Sequence, residues 1–296
     1  MADILEAVFR RHTCSITASS GDGSMLCHSP TECSSVVVVG ERGVSSALLF
    51  LTAVTAASEL GHKVLFYTHT VIQKFPIPVK ESVTSLKPDS LKKIQFVYPR
   101  SLEELLLSVA SLHEQSSGAA AAPSLVLVDG LDAYLRGTGE GAGGPQREEL
   151  RATAHLAALL TDTSSFFTRT REKSEASRGT ERGAALPCRV IVSYHSDWEA
   201  VTTDPVLSVL DRYIPTRCTL VQDLTMRSMA GGDELRHDWQ VYLNGAGVRP
   251  GAANRQQWHL AVHANGAMKF SPTSKLREPK DSDQQKEGVQ NLLHST

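Results

Sequence analysis

The chain has 296 residues, 41% of them hydrophobic, which is enough to bury a sizeable core. Its formal net charge is −2, so a surface that binds nucleic acid or membrane must be local. The five cysteines are odd in number and scattered, which favours reduced thiols over a disulfide framework. Cys27, His28 and Cys33 lie close together, but no second Cys/His pair follows at zinc-ligand spacing, so no metal site is expected.

The composition divides the chain into a central domain and two polar ends. Residues 1–35 are rich in Ser, Thr and Cys, and 273–296 hold few core-forming residues, so we predict a poorly ordered N-terminal segment and a disordered polar tail. Residues 1–13 have the pattern of a short amphipathic helix, not of a secretion signal, and no run of about 18 apolar residues predicts a membrane span. The predicted folded domain is therefore 36–272.

Strand and helix patterns alternate through the first two thirds of this domain. Apolar runs predict strands at 36–39, 63–68, 94–98, 125–128 and 189–194, with helices at 45–60, 102–114, 146–167 and 206–213. Ser101 and Glu104 form a capping box, and Asp204-Pro205 supplies an N-cap and a first helical residue. Such alternation predicts an α/β fold in which a mostly parallel sheet carries helices on both faces.

The last third of the domain lacks predicted helices. Strand patterns at 217–222, 239–243 and 257–263 predict an antiparallel extension of the sheet. Asn265-Gly266 is a type I′ turn signal and predicts a final hairpin. The charged stretch 169–187 is predicted to be flexible.

The turn after the first strand has the position of a phosphate-binding loop. A working loop reads G-x-x-x-x-G-K-[ST], whose backbone N–H groups, lysine and hydroxyl hold phosphates and magnesium. Here the residues are GERGVSSA from Gly40 to Ala47. Counted from Gly40, Ser45 replaces the second glycine and Ser46 the lysine. Counted back from the helix, the loop is one residue short and Ser46 takes the hydroxyl place, so neither register supplies a lysine.

Asp129 ends an apolar strand, where such proteins place the carboxylate that orients magnesium. A strand-end aspartate before glycine also caps turns, so both interpretations stay open. The candidate contacts for ATP and Mg²⁺ are Gly40, Gly43, Ser45, Ser46 and Asp129. Arg42 is either a substitute for the lysine or a solvated charge. The stretch 68–70 offers no carboxylate to activate water, which disfavours hydrolysis.

Other interpretations of the loop are weaker. The loop is either a structural strand-to-helix turn or a residual nucleotide site, because a helix N-terminus attracts anions even without lysine. Dinucleotide binding is disfavoured because G-x-G-x-x-G is absent, and a small-molecule kinase would also need the missing lysine.

Three arginines flank the glycine-rich loop 137–144 that follows Asp129. Arg136, Arg147 and Arg151 are candidates for contact with a DNA phosphodiester backbone. Arg147 and Arg151 have nearby glutamates with which they can instead form ion pairs.

The order of elements resembles RecA-superfamily recombinases. The segments that carry this resemblance are the degenerate loop, LVLVDGLDAYL, the glycine-rich loop, a long helix, RVIVSY and WHLAVHANGAMKF. LKKIQFVYPRSLEELLLSVASLHE and LDRYIP extend it to the SWIM zinc-finger-associated paralogues of the animal Shu complex. The resemblance covers about residues 36–272.

The resemblance implies a RecA-like P-loop NTPase fold and a nuclear protein that promotes homologous recombination repair. The implied partners are a SWIM-type zinc-finger protein, the strand-exchange recombinase with its paralogues, and single-stranded DNA. The family's DNA-stimulated ATPase activity does not carry over, because the loop lysine is missing and His195-Ser196 stands where recombinases place a glutamine. We therefore expect an assembly and DNA-binding subunit. The alternatives are an ATPase that compensates for the lysine and a purely structural partner.

Overall fold

The secondary structure alternates as the sequence predicts. The computed structural model describes residues 3–13, 35–72, 88–115, 122–136, 145–176, 187–196, 203–223, 237–245, 256–263 and 265–273. The helices are α1 (Asp3–Arg11), α2 (Arg42–Ser58), α3 (Pro88–Leu91), α4 (Leu102–Gln115), α5 (Leu131–Leu135), α6 (Pro145–Ala176) and α7 (Pro205–Tyr213). The strands are β1 (Val36–Val39), β2 (Val64–Thr68), β3 (Ile94–Val97), β4 (Leu125–Asp129), β5 (Arg189–Tyr194), β6 (Thr216–Asp223), β7 (His237–Gly245), β8 (Gln256–Val262) and β9 (Met268–Pro272).

All of these strands join in a single mixed sheet with the order β3-β2-β4-β5-β1-β6-β7-β8-β9. Neighbours from β3 to β6 run parallel, and those from β6 to β9 run antiparallel. The predicted parallel core, antiparallel extension and final hairpin are confirmed. Because the carboxyl ends of parallel strands meet at one edge, the turns after β1, β4 and β5 lie together there.

Each face of the sheet has its own hydrophobic core. Helices α1 and α2 pack on one face over alternate strand residues such as Val36, Val38 and Leu127. Helices α4 to α7 cover the other face, over residues such as Val37 and Val128. The alternation follows from the side-chain period of two along a strand. Both faces are apolar, which explains why the strands read as continuous hydrophobic runs.

Helix α6 is longer than the sequence predicts. We predicted that it would end near Phe167 and that 169–187 would be flexible, but it continues to Ala176. The residues of its last two turns are mostly Arg, Glu, Lys and Ala, which propagate a helix well even on an exposed surface. The Thr168 hydroxyl also accepts the Cys188 N–H at 3.0 Å, which fixes this part of the helix to the entry of β5. The rest of the predicted flexible stretch, 177–186, lies outside the described residues.

The N-terminal segment is not uniformly poorly packed, which corrects our prediction for residues 3–13. Helix α1 buries Ile4, Leu5, Val8 and Phe9, each at most 2% exposed. The ring of Phe9 stacks on Phe270 with centroids 4.6 Å apart. The composition of 1–35 is polar on average, so it gave no indication that a short apolar stripe at helical spacing would be buried. Residues 14–34 lie outside the described part of the chain.

Several other predictions fall outside the described ranges. These are the glycine-rich loop 137–144, the tail after Thr273, and the group Cys27, His28 and Cys33. Within the described ranges, no group of three or more His, Cys, Asp or Glu is arranged to hold a metal ion. No helix in those same ranges is long and apolar enough to cross a membrane.

A buried histidine makes stability depend on pH. His62 is 7% exposed, and its Nδ1 lies 2.8 Å from Ser124 Oγ. Burial, assisted by the charges of Arg171 and Arg189, lowers its pKa from 6.5 to about 4. The unfolded chain therefore binds a proton that the folded chain excludes until lower pH. The stability that the folded state gains from a neutral, buried His62 is fully present above the unfolded pKa of 6.5. It is lost as pH falls from 6.5 towards about 4.

We expect the free energy of unfolding to fall by about 1–2 kcal/mol between about pH 7 and about pH 5 because of this histidine. Urea titrations at the two pH values measure the loss. In His62→Gln, part of this pH dependence should disappear, whereas the exposed His69→Gln should keep it. An unchanged pH dependence in His62→Gln would assign the effect to other groups.

Candidate functional site

The turn after β1 is too short to form a phosphate-binding loop. Only Gly40 and Glu41 separate β1 from α2. The Gly40 N–H donates to the Tyr194 carbonyl at 3.3 Å, and the Gly40 carbonyl lies 3.1 Å from His195 Nδ1. A Cβ on Gly40 would come within 2.8 Å of Leu220 Cβ. Gly40 is therefore required by the close approach of β1 to β6.

A carboxylate of the chain itself occupies the N-terminus of α2. Glu41 is the N-cap, and its side chain accepts the Gly43 N–H at 3.2 Å. In a working loop, such N–H groups face phosphate oxygens. Here the negative charge that suits a helix N-terminus comes from the protein.

Ser45 lies in the helix and not in the turn. Its N–H donates to the Glu41 carbonyl at 3.0 Å, as the helical pattern requires. Its side chain is 2% exposed, and among the described residues its hydroxyl has no hydrogen-bond partner. A ligand at the turn therefore has no access to Ser45, and counting the motif from Gly40 does not fit the structure.

Ser46 and Asp129 meet at the carboxyl edge of the sheet. The Ser46 hydroxyl donates to Asp129 Oδ1 at 2.7 Å. Ser193 donates to the same oxygen at 3.0 Å, and Thr68 donates to Oδ2 at 3.4 Å. The register counted back from the helix, with Ser46 in the hydroxyl place, agrees with this geometry.

The environment of Asp129 opposes its ionisation. Burial raises the pKa of this carboxyl. Hydrogen bonds from Ser46, Ser193 and Thr68, and the charge of Arg42, act in the opposite direction and do not cancel the effect of burial. Three hydroxyl donors thus satisfy both oxygens of this carboxyl within the protein.

Arg42 is bound to a residue that the sequence analysis did not single out. It forms an ion pair with Asp132 Oδ2, and Arg136 donates to the same oxygen at 2.6 Å. The His195 N–H donates to Asp132 Oδ1 at 3.3 Å. The Asp132 side chain is only 8% exposed. Its spacing of four residues from Arg136 in a helix was the one signal in the sequence that could have found part of this cluster.

The three predicted DNA contacts lie on two helices. Arg136 follows α5, and Arg147 and Arg151 lie in the first two turns of α6. Arg151 forms an exposed ion pair with Glu148 at 3.2 Å, as its neighbours in sequence suggested. The structure thus places the three on either side of the undescribed loop, and their contact with DNA stays a prediction.

A small cleft beside the turn lies between the ends of β1, β5, β6 and β7. Gly40, Glu41, His195, Ser196 and Trp239 line it together with the end of β6. Its volume is about 190 Å³. Sites for small molecules usually measure about 300–1,000 Å³, so this cleft is too small for a nucleotide.

Comparison with known proteins agrees with this architecture. No family model matches the chain. A human protein named ATPase SWSAP1 is 33% identical over 228 residues, which span 77% of this chain and 83% of the human protein. The chain belongs to the ATPase SWSAP1 family. A mouse protein of the same name is 36% identical over 182 residues, or 62% of this chain, and the match spans only 56% of the mouse protein.

A solved structure confirms the fold of this SWSAP1-family chain. A KaiC-like protein from Pyrococcus horikoshii superposes with a TM-score of 0.52, covering 81% of this chain and 90% of that one. The sequence identity is 8%, so the likeness establishes the RecA/KaiC-like fold alone.

The human and mouse SWSAP1 proteins are named ATPases, and an ATPase must hold both ATP and Mg²⁺. The hydroxyl of Ser46 and the carboxylate of Asp129 are oxygen donors of the kind that Mg²⁺ prefers, and they fit that ion. The residues at the turn after β1, which would hold the phosphates of ATP, do not fit them. This part of the chain lacks a lysine, has a two-residue turn and presents the Glu41 carboxylate at the start of α2.

Proposed function

We propose that the chain is a subunit of a Shu complex that promotes homologous recombination repair in the nucleus. It binds single-stranded DNA and a SWIM-type zinc-finger partner, and it acts with the strand-exchange recombinase and its paralogues. Its nucleotide site is degenerate. Membership of the SWSAP1 family supports the biological setting.

The observation that supports a non-catalytic role is that groups of the chain itself bind the donors and the cation that ATP phosphates would need at the turn after β1. Glu41 takes the Gly43 N–H that a phosphate would need. Arg42, the cation that directly follows the turn, is bound to Asp132. Phosphoryl transfer depends on positioned positive charge around the phosphates, so this arrangement disfavours turnover of ATP.

The rest of the structure remains suited to assembly and DNA contact. Among the described residues, a hydrophobic core lies on each face of the sheet beside the altered turn, so the fold that would carry partners and DNA is retained. The exposed residues Arg147 and Arg151 stand beside the loop after α5, at the edge where open α/β sheets bind ligands. Arg151 is paired with Glu148, so Arg147 and Arg151 would reach a phosphodiester backbone as single exposed guanidinium groups.

A DNA-stimulated ATPase is the second candidate, and the contact between Ser46 and Asp129 favours it. The 2.7 Å hydrogen bond keeps together the two groups that hold magnesium in P-loop NTPases. Under this hypothesis a partner or DNA would supply the missing positive charge, as arginine fingers do in trans.

The first experiment measures single-stranded DNA binding and ATP turnover by the chain with its SWIM-type partner, and by each protein alone. We expect the complex to bind DNA more tightly than the zinc-finger protein does, with ATP turnover at the background level. Asp129→Asn should change neither quantity, because no turnover depends on that carboxylate.

Two results would contradict the proposal in different ways. Turnover that Asp129→Asn and Ser46→Ala both abolish would establish the ATPase, with Ser45→Ala as the matched control inside the same helix. DNA binding by the complex no tighter than by the zinc-finger protein would reduce the chain to a structural partner.

Asp129→Asn should also leave the domain as stable as before or raise its stability, by on the order of 1 kcal/mol. The substitution removes the cost of burying a charge and keeps an oxygen that accepts the Ser46 hydroxyl. Thermal unfolding measures the change. A loss of several kcal/mol would mean that the carboxylate is needed for folding.

A further inference from the structure

We infer that Arg42 and Arg136, held together by Asp132, form a clamp for a phosphate group. This inference rests on the proposed function and names the residues that bind the DNA backbone within it. Both arginines bind the same oxygen, Asp132 Oδ2, although they lie 94 residues apart in sequence. The fold therefore brings two guanidinium groups to one point at the carboxyl edge of the sheet.

The cluster carries an excess of positive charge. Asp132 supplies one negative charge against two arginines, and its second oxygen already accepts the His195 N–H. Two other carboxyl groups lie near Arg42: the adjacent Glu41, which accepts the Gly43 N–H, and Asp129, whose ionisation is opposed by burial. An anion that bridges the two guanidinium groups would neutralise the remaining charge.

Both arginines remain open to such a ligand. Their side chains are 48% and 64% exposed, whereas that of Asp132 is 8% exposed. Each guanidinium has five N–H donors, so one bond to Asp132 leaves others for phosphate oxygens. Because the buried carboxylate fixes both groups in advance, less side-chain freedom is lost when a phosphate binds.

The side chain of Arg42 is bound to Asp132 and not to the turn that has the position of a nucleotide loop. Arg42 begins α2, directly after the turn, yet its side chain reaches across to the helix that follows β4. It cannot cradle a nucleotide in the turn while it is bound there. Arg136 directly precedes 137–144 in sequence, and a phosphodiester backbone is the phosphate ligand that this exposed pair of arginines favours.

The test compares anisotropy titrations of the full chain with fluorescein-labelled oligo-dT and with a fluorescent ATP analogue plus Mg²⁺, each at several salt concentrations. The variants are Arg42→Gln, Arg136→Gln and the triple change R42Q/D132N/R136Q, which leaves no buried carboxylate unpaired. Arg10→Gln is the control, because Arg10 is an ion-paired arginine on α1 whose side chain is 65% exposed, against 64% for Arg136.

We expect each single change to weaken oligo-dT binding about ten-fold and to lower the salt dependence, the slope of log K against log salt, by about 0.7 for each arginine removed. Arg42→Lys should keep the slope but lose part of the affinity, because a lysine cannot bridge Asp132 and a phosphate as a guanidinium does. Arg10→Gln should bind as the unaltered chain does.

The outcomes separate this inference from the proposed function. Tight oligo-dT binding that the triple change leaves intact overturns the clamp and leaves the proposed function standing. Loss of ATP-analogue binding alone, in a chain that never binds oligo-dT, keeps the clamp but removes DNA binding from the proposed function. A chain that binds neither probe overturns the clamp, and DNA binding by the complex with the SWIM-type partner then decides the proposed function.

Discussion

Gly245→Ala will destabilise the domain by about 3 kcal/mol or more, or prevent it from folding. Gly245 ends β7 with a φ of +120°, a backbone conformation that residues with a Cβ rarely adopt. A Cβ there would lie 2.8 Å from the Thr216 Cα and would collide with the Pro215 carbonyl. Since both obstacles are backbone atoms, no side-chain rearrangement can relieve the overlap. Urea denaturation measures the loss.

Gly61→Ala is the control for this prediction. Gly61 also has a positive φ, of 68°, but the nearest atom to its added Cβ would be the flexible Lys93 Nζ at 3.6 Å. Its substitution should cost only about 1 kcal/mol, from the backbone conformation alone. If the two variants lose equal stability, steric overlap at Gly245 is not the dominant effect.

Phe9→Ala should lower the free energy of unfolding by about 3–5 kcal/mol, although Phe9 lies in a segment whose composition suggests little packing. The ring is fully buried and stacks on Phe270 with ring centroids 4.6 Å apart. It also packs against Trp258, where the ring centroids are 5.5 Å apart. The Phe270 N–H also donates to the His12 carbonyl at 2.8 Å, so α1 is joined to the last strand by backbone and side chain. Removal of the ring leaves a cavity between α1 and the sheet.

Arg10→Ala tests whether the effect belongs to packing and not to the helix itself. Arg10 is on the exposed side of α1, paired with Glu6, and its loss should cost less than about 0.5 kcal/mol. Circular dichroism and urea titration of both variants give the comparison. If Phe9→Ala is as stable as Arg10→Ala, α1 does not contribute to the folded core in solution.

Gly245 and Phe9 lie in elements that pack beside the elements of the candidate site, so the two stability predictions also concern function. Gly245 pairs with Thr216, at the start of the strand that adjoins β1. Helix α1 packs on α2, the helix that carries Arg42 and Ser46. Damage to either would move the candidate site indirectly. The binding experiments therefore use substitutions at polar residues of the site and leave the apolar side chains of both cores unchanged.

Sequence alone determined the parts of this protein that repeat a local pattern. β-branched runs marked β1 and β5 to the residue, because strands buried on both faces need continuous apolar side chains. The predicted N-caps of α4 and α7 are confirmed, with Glu104 N–H donating to Ser101 Oγ at 3.2 Å and Asp204 accepting from Val206 at 2.8 Å, although the Glu104 side chain accepts the Arg100 N–H and not that of Ser101. Capping depends on residues two or three apart, so it can be predicted without knowledge of the fold.

The candidate site could be predicted only in part. The missing lysine is visible in the sequence and indicated an altered nucleotide site, whereas the aspartate at the end of β4 was open to two interpretations, a magnesium-orienting carboxylate or a turn cap. The choice between the two registers of the motif was not visible. It depends on where α2 begins, and the N-cap formed by Glu41 starts the helix three residues earlier than its apolar pattern indicates.

Only the tertiary structure decided which distant residues meet. Asp132 lies 90 residues from Arg42 in sequence and 63 from His195, and no periodicity connects them. The order of strands in the sheet brings the turns after β1, β4 and β5 to one edge, and there the three residues come into contact. The same holds for α1, whose apolar stripe could be read locally but whose partners Trp258 and Phe270 are at the other end of the chain. Local propensity fixes which elements form, whereas contacts between remote segments depend on the packing of the whole sheet.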